Sequence, residues 1–217
     1  MKKAISRAAL SATFIPVLLI LSGCVAAPLI VGGAAVTTAT VVTDRRSTGT
    51  IVSDEVIEKR VSYEIDQALG KSKRHITVTS YEGRVLLSGE VATLNDRQVA
   101  QQVASVSLDV REVINELAVM DPSSMTTRLS DSMLATKVRS AIIGNSRISL
   151  NQMKVTVDRG IVYLMGLVTR EEAKLAAQTA AEVSGVQKIV TCFTVESPEE
   201  VARRMQNVEQ PGESENN

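Results

Sequence analysis

The chain repeats itself. Shifted by 77 residues, most of it aligns with itself, the self-similarity that fixes an architecture before any other signal is read. Ser53-Asp54 falls on Ser130-Asp131, Val61 on Val138, Ile65 on Ile142 and Val78-Thr79 on Val155-Thr156. Gly83 meets Gly160, and Val85, Leu87, Gly89 and Val91 meet Val162, Leu164, Gly166 and Val168. After a one-residue gap, Val110 to Val119 runs beside Val186 to Val195. A repeat carried through four successive elements requires two copies of one small domain and excludes a single large core. Apolar residues make up 44% of the chain and are mostly Val, Ile, Leu and Ala, which suits small, close-packed units.

Each copy reads as α-β-β-α-β. A helix is expected to open at Ser53 or Asp54, and again at Ser130 or Asp131, residue types that cap free backbone N–H groups. In the second copy Leu134, Val138, Ala141 and Ile142 recur with helical period. Two hairpins follow, turning through Tyr81-Glu82-Gly83 and Asp158-Arg159-Gly160. Gly89 and Gly166 inside the second strands suggest a bulge or a close backbone approach. Thr93 with Asp96, and Thr169 with Glu172, resemble capping boxes at the start of Ala-rich helices. A last strand closes each unit, over 112–119 and 188–195. Strand, helix, strand implies a right-handed crossover and a parallel pair. The expected fold class is therefore α+β: two tandem modules, 53–120 and 130–196, each a three-stranded mixed sheet packed against two helices. The segment 121–129 is a linker, 24–52 a flexible tether, and 197–217 an acidic, disordered tail in which only a short helix over 199–206 fits.

The first 23 residues read as an address. Lys2, Lys3 and Arg7 precede a short apolar run from Ala8 to Leu21, which ends in Leu21-Ser22-Gly23-Cys24. The run is too short for a spanning helix and has the charge and small-residue pattern of a signal peptide. Leu-Ser-Gly-Cys looks like a lipobox, the site where bacterial lipoproteins are acylated on cysteine. Of the two cysteines, lipid consumes Cys24, so Cys192 has no intramolecular partner. Two readings stand for Cys192: a small buried hydrophobe in a strand, or half of an intermolecular disulfide.

Lysine plus arginine and aspartate plus glutamate number 24 each, and tryptophan is absent. Such a chain offers neither the basic excess nor the stacking platforms of a nucleic-acid binder. Catalysis finds no footing either. The single histidine, His75, lies in Lys73-Arg74-His75, read as a solvated turn. No His/Cys cluster suggests zinc, and no Gly-rich loop with a lysine suggests a phosphate cradle. No cofactor is expected.

The two copies differ in charge. From Ser132 to Val157 there is no acidic residue, while Lys137, Arg139, Arg147 and Lys154 are basic; the equivalent stretch of the first copy contains Glu55, Glu58, Glu64 and Asp66 among its bases. Opposite the core-facing residues of the second copy's first helix lie Met133, Thr136, Lys137, Arg139, Ser140 and Ile143. That arc mixes apolar and basic side chains, as a membrane-surface helix does. It equally describes a solvated face whose Met133 and Ile143 touch the first module.

The recurring pattern Gly-x-Val-x-Leu-x-Gly-x-Val, then an Ala-rich helix, then a Val-rich strand, resembles the BON domain of bacterial envelope proteins. The stretches that carry the likeness are Asp44-Arg45-Arg46-Ser47-Thr48-Gly49-Thr50, 78–87, Thr136-Lys137-Val138-Arg139-Ser140 and Tyr163-Leu164-Met165-Gly166-Leu167-Val168-Thr169. A lipobox followed by two such domains resembles the dual-BON outer-membrane lipoproteins. The resemblance implies a lipid-anchored protein facing the periplasm, with Val25-Ala26 after the cysteine fitting outer-membrane sorting. It implies binding of anionic phospholipid, phosphatidylglycerol above all, through Met133, Thr136, Lys137, Arg139, Ser140 and Ile143. It further implies enrichment at the division site and support of envelope integrity. Met133 departs from the tryptophan of the family's best-known member and lacks that residue's interfacial preference. The alternative is a protein-interaction scaffold for the outer-membrane protein assembly machinery without direct lipid recognition.

Overall fold

The computed structural model describes residues 44–209. The signal sequence, Cys24, most of the tether and the last eight residues lie outside that range. Helix α1 (Thr48–Leu69) packs on a hairpin of β1 (Arg74–Tyr81) and β2 (Arg84–Val91). Helix α2 (Leu94–Val106) then leads to β3 (Glu112–Asn115) and a two-residue continuation, β4 (Ala118–Val119). The second module repeats this with α3 (Met125–Gly144), β5 (Met153–Asp158), β6 (Ile161–Thr169), α4 (Arg170–Ala181) and β7 (Lys188–Glu196). A final helix, α5 (Pro198–Glu209), follows. In both sheets the central strand pairs antiparallel with its hairpin partner and parallel with the strand after the crossover.

The hairpins turn where the sequence places them. Glu82-Gly83 and Arg159-Gly160 both have positive φ at each residue, the geometry of a type I′ turn. Gly89 and Gly166 mark close approach. A Cβ at Gly89 would lie 2.1 Å from the His75 carbonyl oxygen, and one at Gly166 2.2 Å from that of Gln152. Thr93 and Thr169 cap α2 and α4, and Thr169 with Glu172 completes a reciprocal capping box.

Three boundaries differ from the sequence reading. Helices α1 and α3 begin at Thr48 and Met125, capped by Ser47 and Ser124. The last residues of the expected tether and of the linker are therefore helical. Asp54 and Asp131 are not caps. Each is buried one to two turns inside its helix, and its carboxylate accepts from the turn N–H groups of Glu82 and Gly83, or of Arg159 and Gly160. The acidic tail is helical through Glu209, because Val201 is buried and Arg204 pairs with Glu82 and Glu196.

Each module has its own core between sheet and helices. In the first it is built from Ile57, Val61, Ile65, Val85, Leu87 and Val91; in the second from Leu134, Val138, Ile142, Val162, Leu164 and Val168. Alternate residues of the same strands point the other way, and there the two sheets meet. Tyr81, Leu86, Tyr163, Met165, Leu167, Cys192 and Val201 form a third buried cluster. The arrangement is thus four-layered, helices–sheet–sheet–helices. Thr79 and Thr156, equivalent residues of the repeat, hydrogen-bond across the interface at 3.0 Å, as a pseudo-twofold relation between modules requires. Cys192 is free and buried here, and burial pushes its thiol up to about 11. That fits the buried-hydrophobe reading.

Candidate membrane-contact site

Helix α3 owes its position to the residues on its inner arc. Leu134, Ala135, Val138 and Ile142 bury against the second sheet, and Asp131 ties the helix to the β5–β6 turn. The opposite arc is thereby forced outward. All six residues singled out in the sequence, Met133, Thr136, Lys137, Arg139, Ser140 and Ile143, are exposed. Met133 is 61% and Ile143 68% accessible. Neither is buried by the first module, which packs against the other face of the sheet.

The apolar stripe is longer than the sequence suggests. Met125 and Leu129 are also exposed and fall in line with Met133, Thr136, Ser140 and Ile143 at helical spacing. Together they run for about 27 Å along one face. A helix start at Ser130 leaves these two residues in the linker; the Ser124-x-x-Thr127 cap is the signal that brings them in. Lys137 and Arg139 flank this stripe on its two sides, each about 80° of arc from its centre.

The four basic residues are not equivalent. Lys154 pairs with Glu58 of the first module at 2.7 Å and does not contribute to an outward charge. Arg139 donates to the Val155 carbonyl, which holds its guanidinium over the edge of the sheet. Arg147 lies 3.9 Å from Glu171, a loose and exposed pair. Lys137 makes no ion pair among the described residues and projects its full charge.

The first module offers the contrast. On α1 the equivalent stripe contains Val52, Val56 and Tyr63, all exposed. Lys59 interrupts it and Asp66 ends it where α3 has Thr136 and Ile143. Only the second module therefore carries a stripe that is uncharged along its length, apolar at Met125, Leu129, Met133 and Ile143, with cations on both sides and no acid.

His75 is not in a solvated turn. It lies in β1 with its Nδ1 buried, 3.5 Å from Glu90 and 3.9 Å from Asp158. Among the described residues no group of three His, Cys, Asp or Glu side chains could hold a metal ion. No described helix is long and apolar enough to cross a membrane.

Comparison with known proteins agrees with the repeat. The family profile of the BON domain matches residues 53–121 and 130–197. The chain is similar to the outer membrane lipoprotein DolP of Haemophilus influenzae, 38% identical over 174 residues, which cover 80% of this chain and 89% of that protein. It is also similar to the 21 kDa hemolysin of Actinobacillus pleuropneumoniae, 34% identical over 148 residues, or 68% of this chain and 76% of that protein. Among solved structures, CdsD, a structural protein of the type III secretion system of Chlamydia trachomatis, matches 70% of this chain and 100% of its own at 11% identity. The TM-score is 0.29, too slight a likeness to bear on the fold.

Proposed function

Because the chain belongs to the BON-domain family and carries two copies of the domain, we propose that it is an outer-membrane lipoprotein whose second module recognises anionic phospholipid through α3. Acylation at Cys24 anchors the protein on the periplasmic side. The observation that carries the lipid reading is the stripe Met125–Leu129–Met133–Ile143 with Lys137 and Arg139 on its two margins. Pressed onto a bilayer, such a face buries apolar side chains at the headgroup level and sets the cations among phosphates. Each cation near an anionic surface contributes on the order of 1 kcal/mol, screened by salt. Phosphatidylglycerol is the ligand proposed. Methionine at 133 supplies apolar area without tryptophan's interfacial preference, so the flanking cations carry more of the selectivity. The acyl chains raise the effective concentration of this weak contact, which then decides where in the membrane the protein resides. Enrichment at the division site and support of envelope integrity are the cellular expression of this reading.

The test uses the Cys24→Ser chain, so that acyl groups contribute nothing, with vesicles of phosphatidylglycerol or of phosphatidylcholine alone. Lys137→Glu with Arg139→Glu is expected to weaken binding to the anionic vesicles at least about tenfold, with a folded circular-dichroism spectrum and a slightly lower melt, since Arg139 gives up its bond to the Val155 carbonyl. Lys137→Glu alone, which breaks no internal bond, is expected to give most of that loss. Binding that survives both changes sinks the lipid reading.

A scaffold role has one observation of its own. The outward residues of α2, namely Leu94, Asn95, Gln98, Gln101, Gln102, Ser105 and Val106, are all uncharged and exposed, the charge depletion found at the centre of protein interfaces. This surface lies in the opposite outer layer from α3, so lipid contact and protein contact are compatible.

A further inference from the structure

The pseudo-twofold relation gives the module interface two sides, and they differ in chemistry. One side is apolar, where Tyr81, Met165, Leu167 and Val201 pack together. The equivalent positions on the other side are polar. Asp158 stands for Tyr81, Ser88 for Met165 and Glu90 for Leu167. Glu90 is only 1% exposed and its carboxylate takes the Arg159 guanidinium and the Ser123 N–H and hydroxyl. Asp158 is buried and accepts from the Ser88 hydroxyl. Two buried carboxylates thus face one arginine.

We propose that this polar side is a proton-operated catch, on which the modules close most tightly when His75 carries a proton and loosen, hinged on the apolar side, when it does not. The Nδ1 of His75 is buried, has no hydrogen-bond partner, and points between Glu90 and Asp158 at 3.5 and 3.9 Å. The neutral ring, whichever nitrogen holds its hydrogen, brings no charge to the two carboxylates. A second proton makes both nitrogens donors and supplies the second cation that the seam lacks.

Charged groups approach the ring from each element packed around it. Glu90 comes from β2, Asp158 from the end of β5, and Arg159 from the turn, paired with Glu90. Asp131 of α3 lies behind, bound to the turn N–H groups. Toward α1 the ring borders a cavity of about 310 Å³ lined also by Asp66 and Arg74, which pair with each other. On the side of β2 and β5 two buried carboxylates therefore share one cation, while the approach from α1 is balanced in charge. Burial also holds the Asp158 carboxyl above the ordinary carboxylate range, despite the Ser88 hydroxyl bonded to it. On the apolar side the residue equivalent to His75 is Gln152, which does not titrate and accepts the Arg45 backbone N–H. Across the range in which imidazoles titrate, that side keeps its charges, since its carboxylate Glu172 titrates lower.

Because closure gives the proton two carboxylate partners, acidification through the range in which imidazoles titrate drives the seam shut. Amide hydrogen exchange of the full chain in detergent, compared at about pH 8 and about pH 5.5 and corrected for intrinsic rates, reads this directly. Amides of β2 around Ser88 and Glu90 are expected to be about tenfold better protected at the lower pH, while those of β6 around Met165 and Leu167 stay constant. His75→Gln should abolish the difference. If His75→Gln does not fold, Glu90→Gln replaces it with the same expectation. A wild-type chain whose β2 protection ignores pH, or a folded variant that keeps the response, overturns the catch.

Discussion

The carboxylate of Asp131 accepts from two turn amides, and Asp54, at the same place in the first module, does the same and more. Asp54 also takes the Ser80 hydroxyl and the Arg46 guanidinium. Burial alone would raise its pKa, yet the bonds from Gly83, Ser80, Glu82 and Arg46 outweigh burial and hold it below the ordinary range. By linkage its stabilisation is present above that range and lost as pH falls below about 4. Replacing Asp54 by Asn sets an NH₂ against donors; urea melts should register a loss of about 3 kcal/mol, against about 2 kcal/mol for Asp131→Asn. Equal losses would mean that the turn amides alone account for the geometry the two copies share. Gly89 and Gly166 can be tested in the same assay. The atom that a Cβ would strike is a backbone carbonyl, which cannot step aside as a flexible side chain can. Alanine at either glycine is expected to cost about 3 kcal/mol or to prevent folding. The close approach is legible in the sequence, because a glycine in a β-branched strand forfeits packing and adds unfolded-state entropy, a loss that a tight backbone contact offsets. The role of Asp54 is not. Aspartate at that spacing reads as a helix cap by local chemistry, and only the folded turn reveals the partners it meets instead.

At the scale of elements, the hairpins and the crossover strands are readable because each signal is local, an alternation of apolar residues around a Gly-containing turn. Helix starts are not. Ser47 and Ser124 each accept from the N–H three residues on, but Thr48-Gly49-Thr50 and Thr126-Thr127, in the turns that follow, are poor helix formers by propensity. Packing of the later turns extends the helices backward over them. The same extension gives α3 its Met125 and Leu129, so the leading end of the candidate site is not visible in the sequence. Its basic margin follows from the missing acids in 132–157, while the leading apolar turns fall in a stretch with the composition of a linker. Helix α5 is legible only as the short helix over 199–206 and runs somewhat further; its buried apolar anchor, Val201, sits in a run of charge.

The signal for the face-to-face sheets is present in β6, where Val162, Tyr163, Leu164, Met165 and Leu167 leave neither face polar. A strand apolar on both sides needs cover on both, and the second module's own helices supply only one. The other cover is the first module, and the segments that flank the paired modules hold the two together reciprocally. Ahead of α1, Arg45 crosses to the second module, where it pairs with both oxygens of Glu172 at 2.8 Å and donates to the Leu167 carbonyl. After β7, Arg204 crosses back to Glu82 of the first module. The clamps differ in strength. Arg45 and Glu172 are largely buried, so Arg45→Ala leaves a carboxylate short of its partner and should cost about 2 kcal/mol. Arg204 is more than a third exposed, and its loss should cost below about 1 kcal/mol. Burial would raise the Glu172 pKa, but the Arg45 hydrogen bonds and the Thr169 N–H hold it lowered. Its share of the clamp is therefore intact above the ordinary glutamate range and is lost as pH falls beneath it. Scanning calorimetry of the Arg45→Ala, Arg204→Ala chain should resolve two transitions where the parent shows one, because each module keeps its own core once the clamps are gone. Acidification of the parent to about pH 3 should move it in the same direction. A single cooperative transition in the double variant would mean that Leu86, Met165 and the buried polar seam hold the sheets together without help from the flanking segments.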